Sequence, residues 1–312
     1  MKFWRVRMKV GGQYDQSRKA WDCGQVGVWY GAWTAMEWSN ACLAQPNDPW
    51  AILRELPHQQ ELGWDFTPDI AAIRRLEAIG PEDWVVVFLR DRSEIGLARL
   101  KPGLYSEQGH PLNQVYENGS FETFKFRRLV DRKTFALAEL PDGYRLLPAQ
   151  GRGNLHQFHG MRGHIRLLAD KPDAESVREA IREMPFDQLI DILGASAWES
   201  VCTAYLTLER GFVPTGLRTG STLPVFDIVG RSMTDGTHIL AQCKKNPGPV
   251  GLPDEFLAGI EHYAGALSAY YFAFGGCHDP VPANVQVVGR EQILTWVQTE
   301  RGAMYRGFLV GD

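Results

Sequence analysis

In the first half of the chain, apolar residues come in short runs closed by turn formers; in the second half they recur at helical spacing. The runs FWRVRMKV, GQVGVWYGAW, WVVVFLRD, EIGLARLK, FKFRRLV and FALAEL read as strands. Turn signals separate them at Gly11-Gly12, Lys101-Pro102-Gly103 and Pro141-Asp142-Gly143. Short strands at this spacing predict a small barrel or sandwich, with one helix over about 68–79 (PDIAAIRRLEAI). From Pro172 the period lengthens. PDAESVREAIREM has proline at a first helical position and apolar residues three or four apart, as a helix requires. FDQLIDILGASAWESVCTAYLTLERG reads as a helical pair broken near Gly194 and stopped at Gly211. Strands at 223–231 and 237–244 follow, then a helix over about 253–272, a strand NVQVVG and a closing helix REQILTWVQTE. The expectation is α+β: a small N-terminal β-barrel over 1–165, a helical linker over 166–185 and an α/β domain over 186–312.

Composition narrows the classes. With 312 residues, 44% hydrophobic and 22% charged, the chain has apolar mass for two cores. No apolar run is long enough to span a bilayer, and MKFWRVRMKV lacks the apolar stretch of a secretory signal. Five cysteines with no CxxC pair suit reduced thiols, so a cytoplasmic location is expected. A net charge of −4 argues against a protein that coats nucleic acid, but local basic patches still bind phosphate.

The stretch FDIVGRSMTDGTHILAQCKK places polar residues inside apolar strands. Asp235-Gly236 is a strong hairpin signal because tight turns need positive φ. A two-residue loop there pairs Thr234 with Thr237 and sets Asp227 opposite Lys244. Gln242 lies two residues back on the same face. A slip of the loop by one residue makes Gln242 the facing partner and keeps the three together. A carboxylate beside an amide oxygen suits Mg²⁺, with Mn²⁺ as a substitute. A neighbouring lysine can orient or deprotonate water and offset charge building at phosphorus. That equipment suits phosphodiester hydrolysis, though an Asp–Lys cross-strand pair on a solvated face uses the same residues.

The order WESVCTAYLTLERGFVPTG, FDIVG, ILAQCKK resembles the Mrr-like branch of the PD-(D/E)XK nucleases, the restriction-endonuclease fold. EFLAGIEHYAGALSAYYFAFGG is similar to the helix that follows in that branch, and VQVVGREQILTWV to its closing strand and helix. The resemblance covers roughly 186–300. It implies Asp227 and Gln242 as metal ligands, Lys244 as the catalytic lysine, and Glu199 as a further acidic ligand. TGSTLPVFD departs from the small, Gly-rich residues that often precede the family's Asp. The expected activity is metal-dependent DNA cleavage of the restriction or anti-phage type. A homodimer is expected for cutting a duplex. Any ATPase would be a separate partner, since the chain has no GxxxxGK[ST] loop. A non-catalytic nucleic-acid reader on a degenerate nuclease fold, and an RNA-directed nuclease, are the alternatives.

Eight of the ten tryptophans fall within the first 84 residues, which concentrates stacking surfaces in one small domain. FWRVRM, VGVWYGAW and DWVVVFLRDRSEIGLARL loosely resemble a PUA-like or EVE-like barrel, some members of which flip modified bases into an aromatic pocket. That resemblance implies a pocket drawn from Trp4, Trp21, Trp29, Tyr30, Trp33, Trp38 and Trp84; the alternative for each is a place in the core. In FKFRRLVDRK, Lys125, Arg127 and Arg128 alternate with apolar residues, which suits either phosphate contacts or a solvated strand face. In GRGNLHQFHGMRGH, Arg152 suits a nucleic-acid contact, and His156 and His159 have a spacing that suits zinc if the segment is helical.

Overall fold

The computed structural model describes residues 1–10, 14–62, 70–89, 93–115, 121–149, 155–158, 161–192, 194–215, 225–262 and 266–310. The chain divides into two compact units. The first comprises Met1–Leu140, Tyr144–His159 and Ile165–Val177; the second comprises Pro141–Gly143, Gly160–His164 and Arg178–Asp312.

The first unit opens with β1 (Phe3–Val6), the short pair β2 (Lys9–Val10) and β3 (Tyr14–Asp15), helix α1 (Ser17–Asp22) and β4 (Gln25–Val28). Four helices follow: α2 (Ala35–Ala44), α3 (Trp50–Leu53), α4 (Pro57–Leu62) and α5 (Ile70–Ala78). Then come β5 (Trp84–Leu89), β6 (Glu94–Leu100), the pair β7 (Gln114–Val115) and β8 (Phe121–Glu122), β9 (Lys125–Ala136) and β10 (Leu155–Gln157). Six strands form a sheet in the order β10-β1-β5-β6-β9-β4, curled into a half-barrel. FKFRRLV from Lys125 onward and the first two residues of FALAEL lie on one strand, β9, and Leu137–Glu139 turn as a 3-10 helix. A register shift between Leu97 and Arg99 on β6 lets the long strand bend without breaking. Helix α2 starts with a capping box, Thr34 accepting from Glu37 N–H while Glu37 accepts from Thr34 N–H. The expected helix over 68–79 is α5, which buries Ile70, Ile73 and Leu76 at i, i+3 and i+6.

The chain continues with α6 (Arg162–Asp170), α7 (Ala174–Glu183), α8 (Phe186–Ile192) and α9 (Ala195–Arg210). Gly211, at φ +60°, ends α9 in the left-handed conformation that glycine adopts most easily. Next are β11 (Phe212–Pro214), β12 (Ile228–Ser232), β13 (His238–Lys244), α10 (Asp254–Glu261), β14 (Leu267–Ala273), β15 (Val285–Val288), α11 (Arg290–Trp296) and α12 (Glu300–Val310). The second sheet runs β11-β12-β13-β14-β15; β11, β12 and β13 pair antiparallel, and β13, β14 and β15 pair parallel.

The helix expected over 253–272 ends at Glu261, and LSAYYFA is strand β14. Its aromatic residues divide between the two faces. Tyr271 packs on Phe256 of α10, and Phe272 packs on Tyr205 of α9. Burial on both faces is the mark of a central strand, and it makes the apolar run continuous enough to imitate a buried helix.

Candidate active site

The β12–β13 hairpin sets the site. Ser232 N–H donates to Thr237 O at 2.9 Å and Gly236 N–H to Ser232 O at 3.0 Å, so the loop holds four residues rather than two. A two-residue turn of the expected kind needs positive φ at both positions; Gly236 has +73°, whereas Asp235 is not among the positive-φ residues. Asp235 instead accepts Thr237 N–H at 3.0 Å. The register then pairs Ile228 with Ala241 and Arg231 with His238, which brings Asp227 level with Gln242 and not with Lys244.

Asp227 sits just before β12. Its N–H donates to Ala241 O at 2.9 Å, and its Oδ2 accepts Cys243 N–H at 2.7 Å. The carboxylate is thereby fixed against the backbone between Gln242 and Lys244. Gln242 is 9% exposed, and its Oε1 has no hydrogen-bond partner. Cys243, between them, points its buried thiol at the Cys202 thiol of α9. Glu199 lies one turn before Cys202 on α9. Its carboxyl is pushed above the usual carboxylate range, first by burial, next by the negative charge of Asp227, with Lys244 opposing. Asp227, Gln242 and Lys244 thus share one neighbourhood, and Glu199, on α9 with Cys202, is coupled to Asp227 and Lys244 through charge.

The donor set has a defined character. Among the described residues no group of three His, Cys, Asp or Glu converges. Two carboxylates and an amide oxygen are hard donors of low total charge, which suits Mg²⁺ retaining several waters. An unpartnered buried acceptor costs about 1–3 kcal/mol. Gln242 Oε1 carries that cost, and a hard cation or its water would remove it.

In the first unit the candidate residues face inward. Trp4, Trp21, Trp29, Trp33, Trp38 and Trp84 are all buried, none more than 8% exposed. Trp33 stacks on Trp38 with ring centroids 5.3 Å apart; Trp29 packs on Phe124 and donates Nε1–H to Leu112 O at 2.6 Å. Trp21 lies against Gly96, where a Cβ would come within 2.8 Å of its ring. Each has the core placement that competed with the pocket. Tyr30, the seventh, is half-buried with φ +43°.

Lys125 and Arg127 are not phosphate contacts. Lys125 is wholly buried: its ammonium donates to Trp29 O at 2.6 Å, Tyr30 O at 3.3 Å and Gly31 O, and lies 3.9 Å from the centre of the Trp33 ring. Burial holds its pKa well below the usual lysine value, with Glu122 and Glu37 opposing. Arg127 donates to Lys101 O, Leu76 O and Ile79 O, saturating carbonyls at the end of α5. Arg128 is exposed, with its guanidinium over Tyr105. Arg152 and His159 lie outside the described residues. His156 is in strand β10 and not in a helix.

Fold and site together define a mixed α+β chain with a curled half-barrel and a carboxylate–amide–lysine cluster at a sheet end. No family model, curated protein or solved structure matches this chain. Among the described residues no helix is long and apolar enough to cross a membrane.

Proposed function

We propose that this chain is a metal-dependent nuclease that cuts DNA, of the restriction or anti-phage type. The observation that carries the reading is the Asp227 carboxylate held by Cys243 N–H between Gln242 and Lys244. The order of elements supports it: a helix carrying Glu199, Asp227 just before β12 and Gln-x-Lys on β13 follow the order that the resemblance to the Mrr-like nucleases implies.

Asp227, Gln242 and Glu199 would hold Mg²⁺ or Mn²⁺, which when bound supplies Lewis-acid stabilisation of phosphoryl oxygens. The chain's own residues do the rest. Lys244 stands at the end of β13, where its ammonium can donate to a phosphoryl oxygen as negative charge builds there. Cys243 N–H keeps the Asp227 carboxylate oriented, so little reorganisation is needed when substrate arrives. Hydrolysis forms one P–O bond to water and breaks one ester P–O bond, and the proton ends on the leaving oxygen. The first unit would contribute target contact through the exposed Arg128–Tyr105 face, with its tryptophans as framework. Duplex cleavage would need two copies, since one site cuts one strand.

The test is cleavage of matched plasmids, unmodified or carrying 5-methylcytosine or 5-hydroxymethylcytosine, with Mg²⁺ or Mn²⁺. Cutting by wild type that is lost in Lys244→Ala is the expected result; cutting confined to one modified plasmid would add a modified-base reader. Absence of cutting on every plasmid and on an added RNA substrate, with a shifted band on one duplex, would replace the nuclease with a non-catalytic reader.

A further inference from the structure

Strands β13, β14 and β15 run parallel, so their carboxyl ends share one edge of the sheet. Lys244 ends β13 there, and a pocket of about 330 Å³ opens beside it. That is a volume suited to a small ligand. Its walls include Pro247, Phe274, Gly275, Gly276, Gly289 and Gln292. Phe274 N–H donates to Lys244 O at 2.9 Å, so the pocket wall is one backbone hydrogen bond from the catalytic lysine's own peptide.

The glycine part of the wall is bare by necessity. A Cβ on Gly275 would come within 2.5 Å of the Pro247 and Gly248 carbonyl oxygens, and Gly276 has φ +90°. Gly275 thus lets the 247–248 backbone pack against this wall, while at Gly276 nothing lies within 4 Å of where a Cβ would stand, so a ligand can approach the backbone there. Arg290 and Glu291 also line the pocket, and their charges are paired. Arg290 donates to Asp191 at 2.9 Å and to Glu291 at 2.9 Å; Lys245 donates to Asp191 O at 3.0 Å and lies 4.3 Å from the Phe274 ring centre. With both cations engaged, the pocket offers little to a phosphate. It offers a flat neutral ligand an aromatic edge, bare peptide surface and amide donors. Gln292 Oε1 already accepts Gly289 N–H at 2.9 Å, which leaves its N–H groups to donate.

We propose that this pocket receives one nucleobase, unstacked from the strand whose scissile phosphate lies at Lys244, and so fixes which bond is presented for cutting. This rests on the nuclease reading. Phe274 is hydrogen-bonded to the Lys244 peptide, so a base next to a phosphate held at Lys244 is within reach of the pocket wall.

The test uses the full chain carrying Lys244→Ala and single-stranded DNA oligonucleotides with 5-iododeoxyuridine at successive positions. Irradiation, digestion and mass spectrometry locate the cross-link, while wild type is assayed in parallel for cleavage with Mn²⁺. The expected result is a cross-link within 274–276 from one position next to the cut bond. In addition, Glu291→Trp, which fills the pocket mouth from an exposed position, should raise KM roughly tenfold with kcat retained. Cleavage by wild type with cross-links only elsewhere overturns the base pocket and leaves the nuclease intact. A cross-link in the pocket without cleavage keeps the base site and removes the nuclease. Absence of both overturns both.

Discussion

Replacing Lys125 with methionine separates a structural lysine from a nucleic-acid contact. The ammonium holds three consecutive carbonyls, those of Trp29, Tyr30 and Gly31. Gly31 O also accepts Thr123 N–H at 3.0 Å and would remain satisfied. The buried Trp29 O loses this donor and the half-buried Tyr30 O loses a 3.3 Å bond, at about 1–3 kcal/mol each. Methionine keeps the apolar stem, and removing a buried ammonium returns part of its desolvation, so the net loss should be about 2–3 kcal/mol. The measurement is urea unfolding followed by tryptophan emission, since Trp29 and Trp33 border the altered site. Affinity for a DNA duplex, measured by anisotropy on the folded variant, should stay within about twofold of wild type, as expected for a cation that makes no phosphate contact. Unchanged stability with a marked fall in affinity would show that Lys125 is a phosphate contact and that the carbonyl cage contributes nothing.

Three further outcomes follow from the second unit. Gln242→Glu adds a buried charge to the cluster, so the variant should melt lower than wild type without metal and recover with Mg²⁺, with half-maximal Mg²⁺ lowered about tenfold; equal Mg²⁺ dependence would remove Gln242 from the metal site. Gly230→Ala should destabilise by about 2–3 kcal/mol, because its Cβ would sit 2.2 Å from Val213 O and 2.3 Å from the Phe212 ring, and a change under about 0.5 kcal/mol would contradict that packing. Burial depresses the His164 pKa from 6.5 to about 4. A depressed pKa gives stability that is present above pH 6.5 and lost as pH falls toward 4, about 3 kcal/mol for a shift of this size. Thermal melts of wild type and His164→Gln across that window should converge as pH falls; a gap that widens would reverse the sign.

The cluster was legible in the sequence although the turn was misread, and the reason is parity. Taking Asp235-Gly236 as a two-residue loop set Asp227 against Lys244, whereas the four-residue loop sets it against Gln242. These registers differ by two residues on β13, and side chains on a strand alternate with a period of two. Gln242 and Lys244 therefore stay on one face in either register, while Cys243 stays on the other. A register error of one residue would have exchanged the faces and hidden the site.

The same alternation failed on β9 for an identifiable physical reason. Reading Phe124 to Arg128 as apolar and cationic by turns assumes one dry face and one wet face. Here Phe124, Lys125, Phe126 and Arg127 are all buried, because both faces of the strand are covered. On the polar side, the carbonyls at 29–31 and those at the end of α5 need donors, and Lys125 and Arg127 supply them. A buried carbonyl leaves no mark in the sequence of the strand that satisfies it, so a cation facing one looks the same as a cation facing solvent. The helical insertion from α2 to α5, which carries one of those covering elements, was partly announced by Thr34-x-x-Glu37, a capping-box pattern lost among the tryptophans. Read as a helix start, it would have signalled that the half-barrel carries a helical layer. It would also have favoured an inward role for the cations at the start of β9.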